Sequence, residues 1–354
     1  MSPPGAVEPH ASPLELRARI AAWDASQAAV REFFRREGVL EVSTPVRLAA
    51  VAIEPFIEPF ALAQGVLATS PELPMKTLLM GGAGPIFQIA HVLRAAEQGA
   101  QHAEEFHLIE WYRPGATDIA ALQRDTEQLV DAVFGAIGIR EAPRQWRSHG
   151  MLDLVHRTTG VTLSGDEDAR ALQALFSAEH PDWIPDAPTH AESDVARLLA
   201  WTSFFSSWCD AALDPWLAQQ VDGIHVTEFP PALAALAEVA PPRMTQVRTR
   251  GVAFRVESYV GGVELSNGYR ELTCAAEQRR RFTVVQGLRT ALGEAPLPMP
   301  EAFLAAMQTS PLPPTVGCAL GLDRLLALAC DRERIRDVAL PLSWTLPRPH
   351  SEPV

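Results

Sequence analysis

The sequence predicts an α+β fold, a mixed and mainly antiparallel sheet flanked by helices. Three observations carry that expectation. Two apolar runs, "GPIFQIAHVLR" and "EFHLIEWYR", are joined by the polar loop 95–104, as two strands and their connection would be. "AFRVESYVGGVELSNG" has strand character on both sides of Gly261-Gly262, a strong signal for a two-residue hairpin. "DIAALQRDTEQLVDAVFGAIG" has the apolar period of an amphipathic helix.

The other elements follow in order. Residues 1–13 are Pro-rich and read as a disordered N-terminus. A helix is expected over 14–37, with Leu16, Ile20, Ala21, Val30, Phe33 and Phe34 as its apolar positions and Gly38 as its cap. "VLEVSTPV" leads out of it as an extended segment ending at Pro45. "TSPELPMKTLLMGG" reads as a short helix, with Ser70 fitting the N-cap, Pro71 the first helical position and Gly81-Gly82 the end. In the second strand, alternation puts Phe106, Leu108, Glu110 and Tyr112 on one face. A glutamate does not belong among core-facing residues, so this face is expected to line a pocket. An edge strand with Glu110 in water has the same period of two. The variable stretch 140–250 is rich in Trp and Pro, with helices near 167–178 and 191–213 and no motif. "EQRRRFTVVQGLRTALG" and "EAFLAAMQTS" read as helices, "TVGCALGLDRLLALAC" as a strand running into a helix, and 346–354 as a loose tail. One folded domain over 14–345 is expected.

Composition narrows the class. With 354 residues and 47% hydrophobic content, the chain has ample material for a core. A net charge of −13 speaks against a large nucleic-acid footprint, because phosphate-backbone binders present a basic face. No apolar run is long enough to span a membrane, and the N-terminus lacks the basic start and apolar stretch of a signal peptide. A cytoplasmic protein is the expectation. Cys209, Cys274, Cys318 and Cys330 lack paired zinc spacing and read as reduced thiols.

Three glutamates surround the hairpin. Pairing across Gly261-Gly262 sets Val260 opposite Val263 and Tyr259 opposite Glu264, and Glu257 shares the face of Tyr259. Glu257 and Glu264 would then be diagonal neighbours, roughly 7–8 Å apart at the backbone. Two carboxylates at that spacing suit Mg²⁺, which takes oxygen ligands and keeps water. Asn267-Gly268 reads as a second turn that brings Glu271 back to the same place. A solvated hairpin with its acids in water meets the same pattern.

Taken together, these segments resemble the three signature motifs of class II aminoacyl-tRNA synthetases. "REFFRREGVLEVSTPV" is similar to the first, which the family uses for dimerisation. "FQIAHVLRAAEQGAQHAEEFHLIEWY" is similar to the second, two strands and a loop that embraces ATP. "GCALGLDRLLAL" is similar to the third. Within the class, "TSPELPMK", "EFHLIEWYRP" and "GVELSNGYREL" resemble lysyl-tRNA synthetases and, above all, their short relatives, the elongation factor P–lysine ligases. The synthetases carry an anticodon-binding domain before the first motif. Here that motif begins near residue 31, so the shorter ligases fit better and no tRNA is expected.

The resemblance implies the chemistry. ATP and Mg²⁺ would convert lysine or (R)-β-lysine to an adenylate, and a lysine side chain of elongation factor P would accept it. The protein would be a homodimer. Arg94 and Arg324 match the motif arginines that hold the α-phosphate with the substrate carboxylate and the γ-phosphate, tasks suited to a guanidinium fork. Phe106 would stack on adenine and His102 would reach the triphosphate. Glu257 and Glu264 would hold the metal. Glu72 and Glu110 would face the α- or β-amine, with Tyr112 beside them, while Glu271 would face the side-chain ammonium and Asn267 the carboxylate. Ser70 stands where the ligases have Ser and the synthetases usually Ala.

The second motif departs from the family's Arg-x-Glu, reading Arg94-Ala95-Ala96, and the next residue, Glu97, is the expected substitute at adenine. Ala100, Ala103 and Glu104 replace the Arg, Asn and Pro of the ligases. Three functions stay open on these residues: the ligase, an adenylating enzyme with another acceptor, and a sensor of basic amino acids without turnover.

Overall fold

A computed structural model describes residues 15–177, 180–184, 193–240 and 251–340. The expected N-terminal disorder and C-terminal tail lie outside the described residues, as do positions 178 and 191–192 of two expected helices.

The first helix, α1 (Leu16–Arg36), buries Ala22, Trp23, Ser26, Val30, Phe33 and Phe34. Leu16 and Ile20, expected on that face, are 53% and 51% exposed, and Ala21 is exposed too. The buried stripe runs back from Val30 and Trp23 through Arg19, whose guanidinium donates to the Ala339 carbonyl at 2.8 Å, so Leu16 and Ile20 fall to one side of it. Gly38 then takes a left-handed φ of 70° and ends the helix. Three short strands follow, β1 (Leu40–Glu41), β2 (Arg47–Leu48) and β3 (Val66–Leu67). The helix α2 (Glu72–Met80) starts one residue later than expected, and Ser70 Oγ accepts the Glu72 N–H at 3.0 Å. The expected strand pair is β4 (Ile86–Leu93) and β5 (Glu105–Pro114), and the amphipathic helix is α3 (Ala120–Ile137).

The 140–250 stretch holds more sheet than its sequence suggested. It contains β6 (Trp146–Gly150), α4 (Met151–Thr159), α5 (Ala169–Phe176), α6 (Asp194–Trp208), a π-helical turn Cys209–Leu213, α7 (Asp214–Leu217) and β7 (Gly223–Thr227). The hairpin is β8 (Arg255–Val260) and β9 (Val263–Arg270), followed by α8 (Ala275–Ala291), α9 (Glu301–Thr309), β10 (Thr315–Gly321) and α10 (Leu322–Ala329).

Eight strands form one sheet in the order β1-β4-β5-β10-β9-β8-β7-β6. The end pairs β1–β4 and β6–β7 are parallel, and all inner pairs are antiparallel. This is the mixed, mainly antiparallel α+β architecture that the sequence predicts. On one face α1, α3 and α10 close a core around Phe34, Phe87, Trp111, Val133 and Leu325, with the Phe34 and Phe87 rings stacked at 4.3 Å. A second core packs Trp201, Phe204 and Trp208 of α6 over Ile224 and Val226 of β7. The alternation along β5 splits as expected: Ile109 and Trp111 enter the first core, and Phe106, Leu108, Glu110 and Tyr112 line a cavity on the other face.

The hairpin pairs Tyr259 with Glu264 and Val260 with Val263, as the sequence implied, and a bulge beyond Tyr259 then sets Glu257 opposite Asn267. Asn267-Gly268 is not a turn. Both residues lie inside β9, paired on one side with Glu257 and Val256 and on the other with Ala319 and Cys318. Gly268 is there for its size: a Cβ would stand 2.8 Å from Leu122 Cδ1 and 3.0 Å from Cys318 Sγ, where α3 presses on the sheet. Glu271 reaches the cavity because the strand carries it there. The four cysteines are all free thiols, Cys318 and Cys330 buried. Among the described residues no helix is long and apolar enough to cross a membrane.

Gly268→Ala is therefore expected to lower stability by about 1–3 kcal/mol through overpacking. Urea unfolding checks this, and a loss below about 0.5 kcal/mol would contradict the close approach.

Candidate active site

The cavity, about 260 Å³, lies over β5, β9 and β10 and is bounded by the start of α2, the loop 95–104 and the first turn of α10. It gathers nearly every residue singled out in the sequence. Ser70, Glu72, Glu110, Tyr112, Asn267 and Glu271 line one end. Arg94, Glu97, His102, Phe106, Glu264 and Arg324 line the other. Glu257 is the exception, buried beside Glu264 without lining the cavity.

The first end is crowded with carboxylates. Ser70 Oγ donates to Glu110 Oε2 at 2.7 Å, and the Tyr112 hydroxyl donates to Glu110 Oε1 at 2.6 Å. Burial, aided by repulsion from Glu72, still pushes the Glu110 carboxyl up to about 8. Glu271 is 2% exposed. It approaches Tyr112 over Gly317, where a Cβ would stand 2.3 Å from the tyrosine ring and 2.4 Å from Glu271 Oε1. Burial pushes Glu271 up to about 7, against the pull of Lys76.

Lys76 is the residue that sequence reasoning missed here. Its ammonium bridges Glu72 and Glu271, at 2.6 Å from Glu271 Oε2. Burial opposes its charge, but attraction from Glu271 and Glu72 outweighs that and holds its pKa above the ordinary lysine value. The trio thus contains one cation and two acids, and its Glu271 carboxyl titrates near neutrality. The signal was present: Lys76 is the only lysine in the chain and stands four residues after Glu72 on a helix. Glu54 also lines the cavity and was missed, because it lies in an irregular loop with no motif around it.

The other end carries arginines. Arg94 Nε donates to the Thr69 carbonyl at 3.1 Å, and its guanidinium lies 5.1 Å from the Phe106 ring centre. Arg324 Nε donates to the Gln101 carbonyl at 3.0 Å and Nη1 to the Glu264 carbonyl at 2.9 Å, while Nη2 meets His102 Nε2 at 2.8 Å. Burial and the Arg324 charge lower the His102 pKa, which suits a neutral ring accepting from Arg324. Glu264 lies 3.7 Å from Arg324, and burial and Glu257 push its carboxyl up. Glu257 is less free than the hairpin implied: Arg255 pairs with Oε1, and the Tyr259 hydroxyl donates to Oε2 at 2.6 Å. Arg255 in turn lies 4.4 Å from the Phe229 ring centre. Ala96 takes a left-handed φ of 63°, and the next residue, Glu97, faces the cavity.

A broad antiparallel sheet with a cavity between two motif arginines is the architecture of a class II synthetase catalytic core. The chain belongs to the family of class II tRNA synthetases (D, K and N), whose model matches residues 12–341. It is 35% identical over 320 residues to the elongation factor P–(R)-β-lysine ligase of Proteus mirabilis, covering 87% of this chain and 90% of that one. It is also similar to the ligases of that name from Pectobacterium atrosepticum, 35% identical with 88% and 90% covered, and Haemophilus influenzae, 34% identical with 88% and 90% covered.

Removing the one cation from the acidic end should be costly. Lys76→Met is expected to destabilise the fold by about 3–5 kcal/mol at pH 8. The deficit should shrink toward pH 5.5. Without Lys76 the Glu271 pKa rises further above its ordinary value of 4.5, so the folded state keeps a proton that the unfolded chain has released. Unfolding at both pH values tests this, and an equal deficit at the two would contradict it.

Proposed function

We propose that the protein is a ligase that activates lysine or (R)-β-lysine with ATP as the aminoacyl adenylate and transfers it to a lysine side chain of elongation factor P. The observation that carries this reading is one cavity with two ends of opposite character, acids around Tyr112 and arginines around Phe106. The ligases it resembles by sequence support it.

In the first step the substrate carboxylate attacks the α-phosphate of ATP and pyrophosphate leaves. Two anions must meet, so Arg94 would hold the α-phosphate against the carboxylate, with Asn267 beside it. Arg324 would take the γ-phosphate, with His102 next to it. Phe106 would stack on adenine, and Glu97 would bind its amino group in place of the Glu missing at Ala96. The metal site fits Mg²⁺ in donor type, since Glu264 opens on the cavity and Glu257 stands behind it with lone pairs left over after Arg255 and Tyr259. Bound there, Mg²⁺ would neutralise phosphate charge. Glu72, Glu110 and Glu271 would receive the ammonium groups, and a substrate lacking one would leave a buried carboxylate unpaired. In the second step the acceptor amine attacks the adenylate carbonyl and AMP leaves.

An acceptor other than tRNA accords with the net charge of −13. A homodimer accords with the apolar side chains that α1 and the first-motif segment leave uncovered, Ile20 at 51% on the helix and Leu40 at 65% and Val46 at 43% in the motif. Sedimentation should give a dimer that Ile20→Asp weakens, and a monomeric wild type would remove that part of the reading.

Pyrophosphate exchange with ATP, Mg²⁺ and a panel of α-lysine, (R)-β-lysine, ornithine and aspartate tests the activity. Exchange with a diamino acid, and its transfer to elongation factor P, are expected. Glu264→Gln and Arg324→Ala should each lower exchange by at least about a hundredfold with the fold intact. KM for the amino acid should fall as pH rises from 6 to 9, because Glu271 ionises near 7 and Glu110 near 8. Exchange without transfer would point to another acceptor, and no exchange to a sensor.

A further inference from the structure

Seven carboxylates line the cavity, and six of them have a partner. Glu72 and Glu271 hold Lys76, Glu110 holds Ser70 and Tyr112, and Glu264 meets Arg324. Glu97 lies 3.9 Å from His102, and Asp323 accepts the His107 N–H at 2.7 Å. Glu54 makes no side-chain hydrogen bond or ion pair among the described residues. Burial and repulsion from Glu72 push its carboxyl up to about 7. Glu54 is half-buried in the cavity wall, and a partly desolvated acid with no partner in the chain is placed to receive a cation from outside it.

The loop holds the backbone at Glu54 in place against the cavity. Ala52 and Ile53 are anchored in the core with Phe282 and Leu304, and the Glu54 carbonyl accepts from Arg289 Nη1 at 3.4 Å. Its charged neighbours are Glu72, then Arg94, Arg255 and Lys76. Glu54 therefore sits at the junction of the two ends, lining the one cavity with Glu72 of the acidic end and Arg94 of the other and acted on by both. A substrate carboxylate at Arg94 brings its adjacent amine to this junction, while the distal ammonium reaches on toward Glu271.

We infer that Glu54 binds the substrate amine nearer the carboxylate, the α-amine of lysine or the β-amine of (R)-β-lysine. This rests on the reading that the cavity takes a diamino acid. It makes Glu54 a specificity residue: it offers the ammonium a second carboxylate beside Glu72, and it is the group left stranded when that amine is missing.

Calorimetric titration of wild type, Glu54→Gln and Glu54→Ala at pH 8 tests this without requiring turnover. The ligands are lysine, (R)-β-lysine and 6-aminohexanoate, which lacks the proximal amine of both. Both variants should lose about ten- to a hundredfold in affinity for the diamino acids, as for a lost charge-assisted bond. They should bind 6-aminohexanoate as wild type does. Their melting temperatures at pH 8 should equal or exceed that of wild type, because an unpaired, half-buried acid is gone. Diamino-acid binding that matches wild type overturns the assignment of Glu54 alone. Equal losses for all three ligands, with a lowered melting temperature, mark a structural residue and also overturn it. Failure of wild type to bind any diamino acid overturns the reading of the cavity and this assignment with it.

Discussion

One ammonium group makes the acidic end of the cavity possible. Glu72 and Glu271 are 9% and 2% exposed, and two carboxylates so placed would repel each other and lack water. Lys76, 3% exposed, lies between them. The arrangement then depends on backbone geometry at three places. Helix α2 puts Glu72 and Lys76 one turn apart, β9 delivers Glu271 from the sheet, and Gly317 on β10 leaves the space that Glu271 and Tyr112 share. A side chain at position 317 would collide with both. The sheet thus concentrates acid, and a single helix supplies the counter-charge.

The opposite end is organised differently. Its arginines are oriented chiefly by carbonyl oxygens, with one carboxylate, Glu264, 3.7 Å from Arg324. Arg94 donates to Thr69, and Arg324 donates to Gln101 and to the backbone of Glu264. A carbonyl orients a guanidinium without cancelling its charge, so both cations remain available to an anionic ligand. The loop 95–104 takes part: its backbone bonds to Arg324, and the Ala100 carbonyl accepts the Ile335 N–H at 3.0 Å. The cavity is therefore polarised along its length, a property of the whole sheet rather than of one motif.

Much of this was legible in the sequence because it rests on local periodicity. The alternation Phe106, Leu108, Glu110, Tyr112 announced a face unsuited to the core, and that face lines the cavity. Gly261-Gly262 fixed the first pairs of the hairpin. Elsewhere tertiary context overrode local chemistry. Asn267-Gly268 has turn residues, but the pressure of Leu122 on the sheet uses the glycine for clearance. The strands β6 and β7 carry polar residues such as Arg147, Ser148 and His225 and lack a clean alternation. Glu54 gave no signal because its significance lies in what it fails to touch. Lys76 could have been found by asking how three buried acids are balanced, a question of charge rather than of pattern.

Charge balance also bears on the fate of an adenylate in this cavity. An activated carboxyl is attacked by any free amine nearby, and Lys76 is an amine directly behind the lining carboxylates Glu72 and Glu271. Only its unprotonated form is a nucleophile. Two carboxylates hold it charged, and its 3% exposure denies it an approach. Apart from histidine, every other basic side chain in this sequence is arginine, which a reactive acyl group does not readily modify at neutral pH. The ion pair that lets Glu72 and Glu271 coexist therefore does a second thing under the ligase reading: it keeps the chain's own lysine from competing with the acceptor. The two roles are one electrostatic fact, since weakening either contact would both unbalance the acids and free the amine.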